Sequence, residues 1–103
     1  MMQETTAPGG EILISLAGAF DAFAAWQIRG RLVDLPRGVN VVLDFSAVEE
    51  FFDLGVAVMA HGLAETSRAH VVMRGLHEQQ HRLFRYFGVE IDDAIGGSGQ
   101  HAP

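Results

Sequence analysis

The chain has 103 residues, 49% of them hydrophobic, and a formal net charge of -6 at pH 7. We expect one globular domain with a single modest core, because this length and composition suit a folded protein and argue against general disorder. The acidic balance disfavours nucleic-acid binding, since a polyanion would be repelled on average. Cysteine is absent, which excludes disulfides, thiolate chemistry and zinc bound by cysteine.

The N-terminal residues have neither the basic nor the apolar region of a signal peptide. No apolar run approaches the roughly 18 to 20 residues that a membrane-spanning helix needs. We therefore expect a soluble cytoplasmic protein that does not insert directly into a membrane.

The first half of the chain predicts two strands around one helix. Residues 1–10 are polar and end in Pro-Gly-Gly, so they form either a tail or a weak edge strand. Residues 11–16 are predicted as a strand and residues 17–20 as the loop that ends it. Asp21 is suited to cap a helix that continues to about Val33. The Val-rich run at residues 39–45 then predicts a buried central strand.

The second half continues the alternation of helices and strands. Residues 54–68 are predicted as a helix, residues 71–74 as a strand and residues 78–87 as a third helix. Gly88 suits the left-handed position after that helix, and residues 89–95 form either a short strand or a helical turn. The helical side chains expected to face the core are Phe23, Trp26, Leu54, Val58, Met59, Leu63, Leu83, Phe84 and Phe87.

This order predicts an α/β fold with a mostly parallel sheet of four to five strands and right-handed crossovers. The three helices are expected mainly on one face of the sheet. The domain is expected to cover residues 11–95, and the Gly-rich residues 96–103 are expected to be a disordered tail.

The segment after the central strand is the candidate site, because function in open α/β sheets usually lies outside the carboxyl ends of the strands. Asp53 and Gly55 stand where a helix would begin, and Asp53 alone suggests an N-cap. Phe51 and Phe52 are adjacent, so both cannot face the same way. Either one ring lies in the core and the other is exposed, or both rings tuck under the loop. Glu49 and Glu50 suggest a solvated corner.

Four short motifs follow one another along the chain: Gly-X-X-Asp from Gly18 to Asp21, Val-Val-Leu-Asp-Phe-Ser-Ala-Val from Val41 to Val48, Gly75 before the third predicted helix, and Phe87-Gly88 at its end. In this order they resemble the motifs of the STAS domain family, to which bacterial anti-sigma factor antagonists belong. That family has Gly-X-X-Asp before its first helix, a Val-Val-Leu-Asp-Leu-Ser-X-Val strand, and glycines before and after its third helix. The resemblance covers about residues 11–95.

The chain departs from the family's pattern at one position that matters for function in the family. The family carries an Asp-Ser-Ser-Gly or Asp-Thr-X-Gly loop in which an anti-sigma kinase phosphorylates the hydroxyl. The separation of Asp44 and Gly55 is that of the family, and in this register Asp53 takes the position of the phosphoacceptor. A shift by one residue would make Asp53 the loop aspartate instead. Neither register supplies a hydroxyl, since the chain has no Ser, Thr or Tyr from Glu49 to Met59.

The resemblance implies a bacterial, non-catalytic domain without a cofactor that regulates transcription by binding proteins. The implied partner is an anti-sigma factor with serine-kinase activity or another STAS-type signalling protein, and a homodimer is a further option. The alternative is a STAS regulatory subunit of a phospholipid-type ABC transporter. The expected contact residues are Phe20, Asp21, Glu49, Glu50, Phe51, Phe52, Asp53, Leu54, Gly55 and Val58.

The run His77-Glu78-Gln79-Gln80-His81 matches the His-Glu-X-X-His motif of zinc metalloproteases, which places two histidines on one helical face beside a general base. No third histidine follows at metzincin spacing, and the motif opens a helix instead of crossing its middle. A zinc hydrolase is therefore the least favoured alternative, and we interpret the run as a solvated helix face without a metal.

Overall fold

A computed structural model describes residues 2–65 and 70–89 of the chain. The short strand or helical turn predicted at residues 89–95 lies outside this part except for Val89, and so does the tail predicted at residues 96–103. The last residues of the predicted second helix, 66–68, lie outside it as well. The described chain contains four strands and three helices, which alternate after the first two strands. Their bounds are β1 Met2–Thr6, β2 Ile12–Phe20, α1 Ala22–Val33, β3 Asn40–Phe51, α2 Asp53–Glu65, β4 His70–Arg74 and α3 Glu78–Tyr86.

The strands form one sheet in the order β1-β2-β3-β4. Strand β1 runs antiparallel to β2, whereas β2 with β3 and β3 with β4 are parallel. The predicted α/β class with a mostly parallel sheet is therefore confirmed. Residues 2–6, for which the sequence left two alternatives, form the antiparallel edge strand.

The core lies on one face of the sheet, because alternate residues of each strand point the same way. On β2 these are Ile12, Ile14 and Leu16, and on β3 they are Val41 and Leu43. Buried side chains of the helices cover this face, including Ile28 of α1, Val56 and Met59 of α2, and Phe84 of α3.

The two central strands are longer than the sequence predicts. Residues 17–20, predicted as a loop, continue β2 and pair with β3 through Ala17 opposite Ala47 and Phe20 opposite Phe51. The two strands remain paired in this stretch although their register shifts twice. The hydrophobic pattern of the sequence does not predict these shifts. Glu49 and Glu50 are exposed, but they lie within β3 and not at a corner.

Two aromatic residues predicted in the core of α1 are on the surface. Phe23 is 70% exposed and Trp26 is 55% exposed. The prediction was wrong because the helix buries a different face, formed by Ala25, Ile28 and Leu32.

Two further core predictions were wrong. Leu54 is 63% exposed because it lies in the first turn of α2, beyond the covered part of the helix. Phe87 is 39% exposed because α3 ends at Tyr86. Gly88 has the predicted left-handed conformation, with φ of 88°, and its N–H donates to the Arg85 carbonyl at 3.0 Å.

An ionic cluster joins β3 to the edge strand β4 on the sheet face opposite the core. The Asp44 carboxylate accepts from the Ser46 N–H at 3.0 Å, from the Ser46 hydroxyl at 2.7 Å and from Arg74 at 3.3 Å. Burial alone would raise the pKa of Asp44, but the Ser46 hydrogen bonds and the Arg74 charge outweigh it, so the pKa is lowered.

We predict that replacing Asp44 by Asn removes part of the acid sensitivity of folding. A lowered folded-state pKa makes the ionised Asp44 stabilising above its ordinary pKa of 3.8, and this stability is lost as pH falls through the folded-state value. At neutral pH, Asp44→Asn should lower the free energy of unfolding by roughly 1 to 2 kcal/mol. Urea titrations at several pH values should show the two proteins converging below pH about 4. Parallel pH profiles would contradict the assignment.

Candidate protein-binding site

Four phenylalanine rings pack together beneath the carboxyl ends of β2 and β3. The Phe20 ring lies 5.1 Å from Phe45, 5.3 Å from Phe51 and 6.2 Å from Phe84, measured between ring centroids. Phe20 is fully buried in this aromatic cluster. The prediction that Phe20 contacts a partner is therefore wrong, because its ring is part of the core and supports the site from below.

The turn from β2 into α1 is held against the start of α2. The Phe52 N–H donates to the Phe20 carbonyl at 3.0 Å. A Cβ atom on Gly55 would lie 3.0 Å from the Asp21 carbonyl and 3.0 Å from the Phe20 carbonyl oxygen, which is closer than side chains normally come. Gly55 is therefore a buried structural residue and does not offer a side chain to a partner.

Asp21 caps α1 as predicted. Its Oδ1 accepts from the Ala24 N–H at 2.9 Å, which satisfies one free donor of the first turn. Because this bond fixes the beginning of α1, it also fixes where Phe23 projects. Asp21 remains half-exposed at the rim of the site.

Asp53 is the first residue of α2 and not its N-cap. The N–H groups of Gly55 and Val56 donate to the Phe52 carbonyl at 3.0 and 3.4 Å, so Phe52 is the residue that precedes the helix. The capping interpretation of Asp53 was wrong by one position. Asp53 is exposed in the first turn, where the helix dipole favours a negative charge.

The two adjacent rings at the end of β3 separate, which decides between the two alternatives that the sequence left open. Phe51 turns inward to the aromatic cluster, whereas Phe52 is 47% exposed. Phe52, Leu54 and Phe23 line a surface depression of about 370 Å³, with Asp21 at its edge. The elements α1 and α2 thus bring residues 21–23 and 52–54 together.

The depression forms part of a larger surface, which we call the apolar patch: Phe23, Trp26, Phe52 and Leu54. Trp26 is one helical turn beyond Phe23, and its ring lies beneath the Arg29 guanidinium at 4.7 Å. Phe23 and Trp26 were missed as surface residues. The signal was present in their spacing, since both lie away from the stripe of Ala25 and Ile28.

Three acidic residues are exposed in the segment that carries Phe52 and Leu54. Glu49 and Glu50 are exposed on the last residues of β3, and Asp53 is exposed at the start of α2. Val58, by contrast, is half-buried and packs against the core. Of the expected contact residues, Glu49, Glu50, Phe52, Asp53 and Leu54 are exposed, whereas Asp21, Phe51 and Val58 are half-buried.

The His-Glu-X-X-His run lies at the start of α3 in ordinary helix-starting contacts. The His77 N–H donates to Gln80 Oε1 at 2.8 Å, and Glu78 forms an ion pair with Arg82 at 3.2 Å. Within residues 2–65 and 70–89, no three His, Asp or Glu side chains are grouped to hold a metal ion. This geometry is that of a solvated helix start.

The family model described as "Mlab, STAS domain" matches residues 4–95. The chain belongs to the STAS domain family. Among solved structures it is similar to the anti-sigma factor antagonist SpoIIAA in its unphosphorylated form, at 17% identity and a TM-score of 0.63, over 96% of this chain and 94% of that one. The phosphorylated form of SpoIIAA, a Bacillus cell fate determinant, gives 16% identity and a TM-score of 0.57, over 96% of both chains.

At these identities the likeness to SpoIIAA establishes a shared STAS fold. None of the curated proteins matches the sequence significantly. In the part of this STAS domain that the structure describes, no helix is long and apolar enough to cross a membrane.

We predict that Gly55→Ala destabilises the STAS domain by about 1 to 3 kcal/mol, because the added methyl group would press on the backbone of residues 20 and 21. The matched control is Gly30→Ala in α1, where nothing lies within 4 Å of the added methyl group. That control should be stabilised by up to about 1 kcal/mol. Thermal or urea unfolding measures both. Equal changes in the two variants would contradict the close approach at Gly55.

Proposed function

We propose that this STAS domain is a non-catalytic regulatory protein that resembles an anti-sigma factor antagonist and carries a permanent negative charge where its relatives are phosphorylated. The observation that supports this most is the position of Asp53. It is exposed in the first turn of α2, between Phe52 and Leu54, which line an exposed apolar depression. Asp53 itself lines a neighbouring depression with Gln79 and Gln80 of α3.

A carboxylate and a phosphate at this position differ in how much negative charge they carry and in whether enzymes can add or remove it. Phosphorylation adds a charge of roughly -1.5 to -2 that a kinase and a phosphatase can add and remove. Asp53 supplies a single charge that is always present at neutral pH. In our proposal the chain is consequently not switched by phosphorylation at this loop.

The proposed partner is an anti-sigma factor with serine-kinase activity or another STAS-type signalling protein, in the cytoplasm of a bacterium. The similar protein SpoIIAA is itself described as an anti-sigma factor antagonist, in phosphorylated and unphosphorylated forms. The exposed rings of the apolar patch suit such contacts, since aromatic residues often dominate the energetics of protein interfaces. The proposed contact surface is this patch with the acidic residues 49, 50 and 53.

The alternative from sequence, a STAS subunit of a phospholipid-type ABC transporter, would use the same surface. A pull-down with this chain distinguishes the two: recovery of a permease–ATPase complex favours the transporter, and recovery of a soluble kinase favours the antagonist. The zinc-hydrolase alternative gains no support from the contacts at the start of α3.

We predict that Asp53→Ser creates a phosphorylation site that the native chain lacks. When the purified proteins are incubated with the cognate anti-sigma kinase and ATP, mass spectrometry should find phosphate on residue 53 of the variant and none in residues 49–59 of the native chain. The matched control is Asp53→Asn, which removes the charge and adds no hydroxyl. It should remain unphosphorylated.

The same three proteins test the effect of the charge on binding. Asp53→Ser before phosphorylation and Asp53→Asn should change the affinity for the kinase in the same direction, because both remove one negative charge. Phosphate within residues 49–59 of the native chain would sink the proposal. Identical affinities for all three proteins would show that the charge of Asp53 has no role in binding.

A further inference from the structure

Strand β3 extends beyond its neighbour β4 at the edge of the sheet. Strand β4 pairs with β3 only from Asn40 to Asp44, whereas β2 pairs with β3 as far as Phe51. The rest of β3, residues 45–51, therefore has a strand on one side and, within the part of the chain that the structure describes, no strand on the other. We call residues 45–51 the overhang.

The chain turns away at the end of β4 and does not cover the overhang. Gly75, which follows β4, has a φ of 80°, in the left-handed region that favours glycine. The backbone there passes so close to β3 that a Cβ atom on Gly75 would lie 2.6 Å from the Ser46 nitrogen. The overhang thus begins where the backbone of β4 leaves the sheet, and the fold itself leaves this edge open.

The backbone of the overhang is available for pairing with a further strand. At its beginning, the Ser46 N–H donates to the Asp44 carboxylate at 3.0 Å, so a side chain satisfies this one donor. Among the described residues, no backbone hydrogen bond joins residues 47–51 to β4 or to α3. An open edge of this kind is a template for another strand. Its length suits one, because strands commonly have about five to six residues.

The charge of the overhang selects what can pair with it. Glu49 and Glu50 are both exposed there, and the sequence has no Lys or Arg between Arg37 and Arg68. Pairing between the overhangs of two copies is disfavoured, because like charges on paired strands are destabilising. A segment with basic side chains would instead form opposite-charge pairs across the two strands, which are stabilising.

A depression at the end of the overhang suits a basic segment as well. It has a volume of about 210 Å³ and is lined by Phe51, by Asp53 and by three residues of α3, which are Gln79, Gln80 and Leu83. Asp53 adds a third carboxylate, and the glutamine amides are both donors and acceptors for a peptide backbone. The apolar surfaces of Phe51 and Leu83 suit the methylene stems of Arg or Lys side chains.

We propose that the overhang binds an extended, basic segment of the partner protein, which pairs with β3 as an added strand in the place that β4 leaves open. Strand addition to a sheet edge is a recurring mode of peptide recognition, in which main-chain hydrogen bonds supply affinity and side chains supply specificity. This inference rests on the proposed function in one respect, namely that this surface binds a partner protein. It adds the mode of binding and the charge of the segment that is bound.

The first test uses a synthetic six-residue peptide in which arginine and valine alternate, with both ends blocked. When this peptide is added to the isotopically labelled full chain at concentrations up to the millimolar range, the amide NMR signals of residues 46–53 should change most. Unchanged signals in residues 46–53 at the highest concentration would overturn the proposal. Because this experiment needs neither a kinase nor phosphorylation at residue 53, it and the tests of the proposed function can fail separately.

Two N-methylated forms of the peptide separate strand pairing from simple attraction between charges. A strand at a sheet edge directs the N–H groups of alternate residues towards its neighbour. Methylating one alternate set of nitrogens should therefore abolish most of the binding, whereas methylating the other set should not. We expect the two dissociation constants to differ at least about tenfold. Equal affinities of the two forms, which carry the same charge, would overturn the proposal.

Glu50→Lys tests the charge of the overhang, and Glu11→Lys is its matched control. Both residues are exposed, and both substitutions change the net charge of the chain by the same amount. Glu11 precedes β2 and lies at the opposite end of the sheet. Glu50→Lys should raise the dissociation constant of the unmethylated peptide roughly threefold to tenfold, whereas Glu11→Lys should change it less than about twofold. Equal effects of the two substitutions would contradict the assignment of the site to the overhang.

Discussion

The close approach of Gly55 to the turn at Phe20 and Asp21 is the constraint on which the site depends. It lets the first turn of α2 lie directly against the beginning of α1, and the Phe52 N–H to Phe20 carbonyl bond fixes the distance. Beneath it, the aromatic cluster fills the space between the strand ends and α3. Two chain segments that are about thirty residues apart thereby form one surface.

That rigid base explains how exposed apolar side chains can be held in place. Asp21 fixes the start of α1 and so the direction of Phe23, while Phe51 anchors the strand from which Phe52 projects. An interface of rigid aromatic side chains loses little conformational entropy on binding.

Much of the fold was predictable from the sequence because it depends on local patterns. Alternating apolar segments gave the order of elements, and Asp21 and Gly88 marked helix ends through their local chemistry. The extensions of β2 and β3 were not predictable, because they depend on strand pairing across register shifts. Phe20 was predicted on the surface and is buried, whereas Phe23 was predicted in the core and is exposed. The reason is similar, because neighbouring elements decide which apolar residue is covered. The absence of a hydroxyl side chain from Glu49 to Met59 can be read directly from the sequence, because it does not depend on the fold.

The central claim is that the surface formed by the starts of α1 and α2 binds the partner. Its most direct test is the change in backbone amide NMR signals when the unlabelled anti-sigma kinase is added to the isotopically labelled chain. The account predicts that the largest changes fall on residues 21–26 and 49–56, with little change in β4 or at the end of α3. Changes concentrated on β4 and Tyr86, with residues 49–56 unaffected, would contradict it.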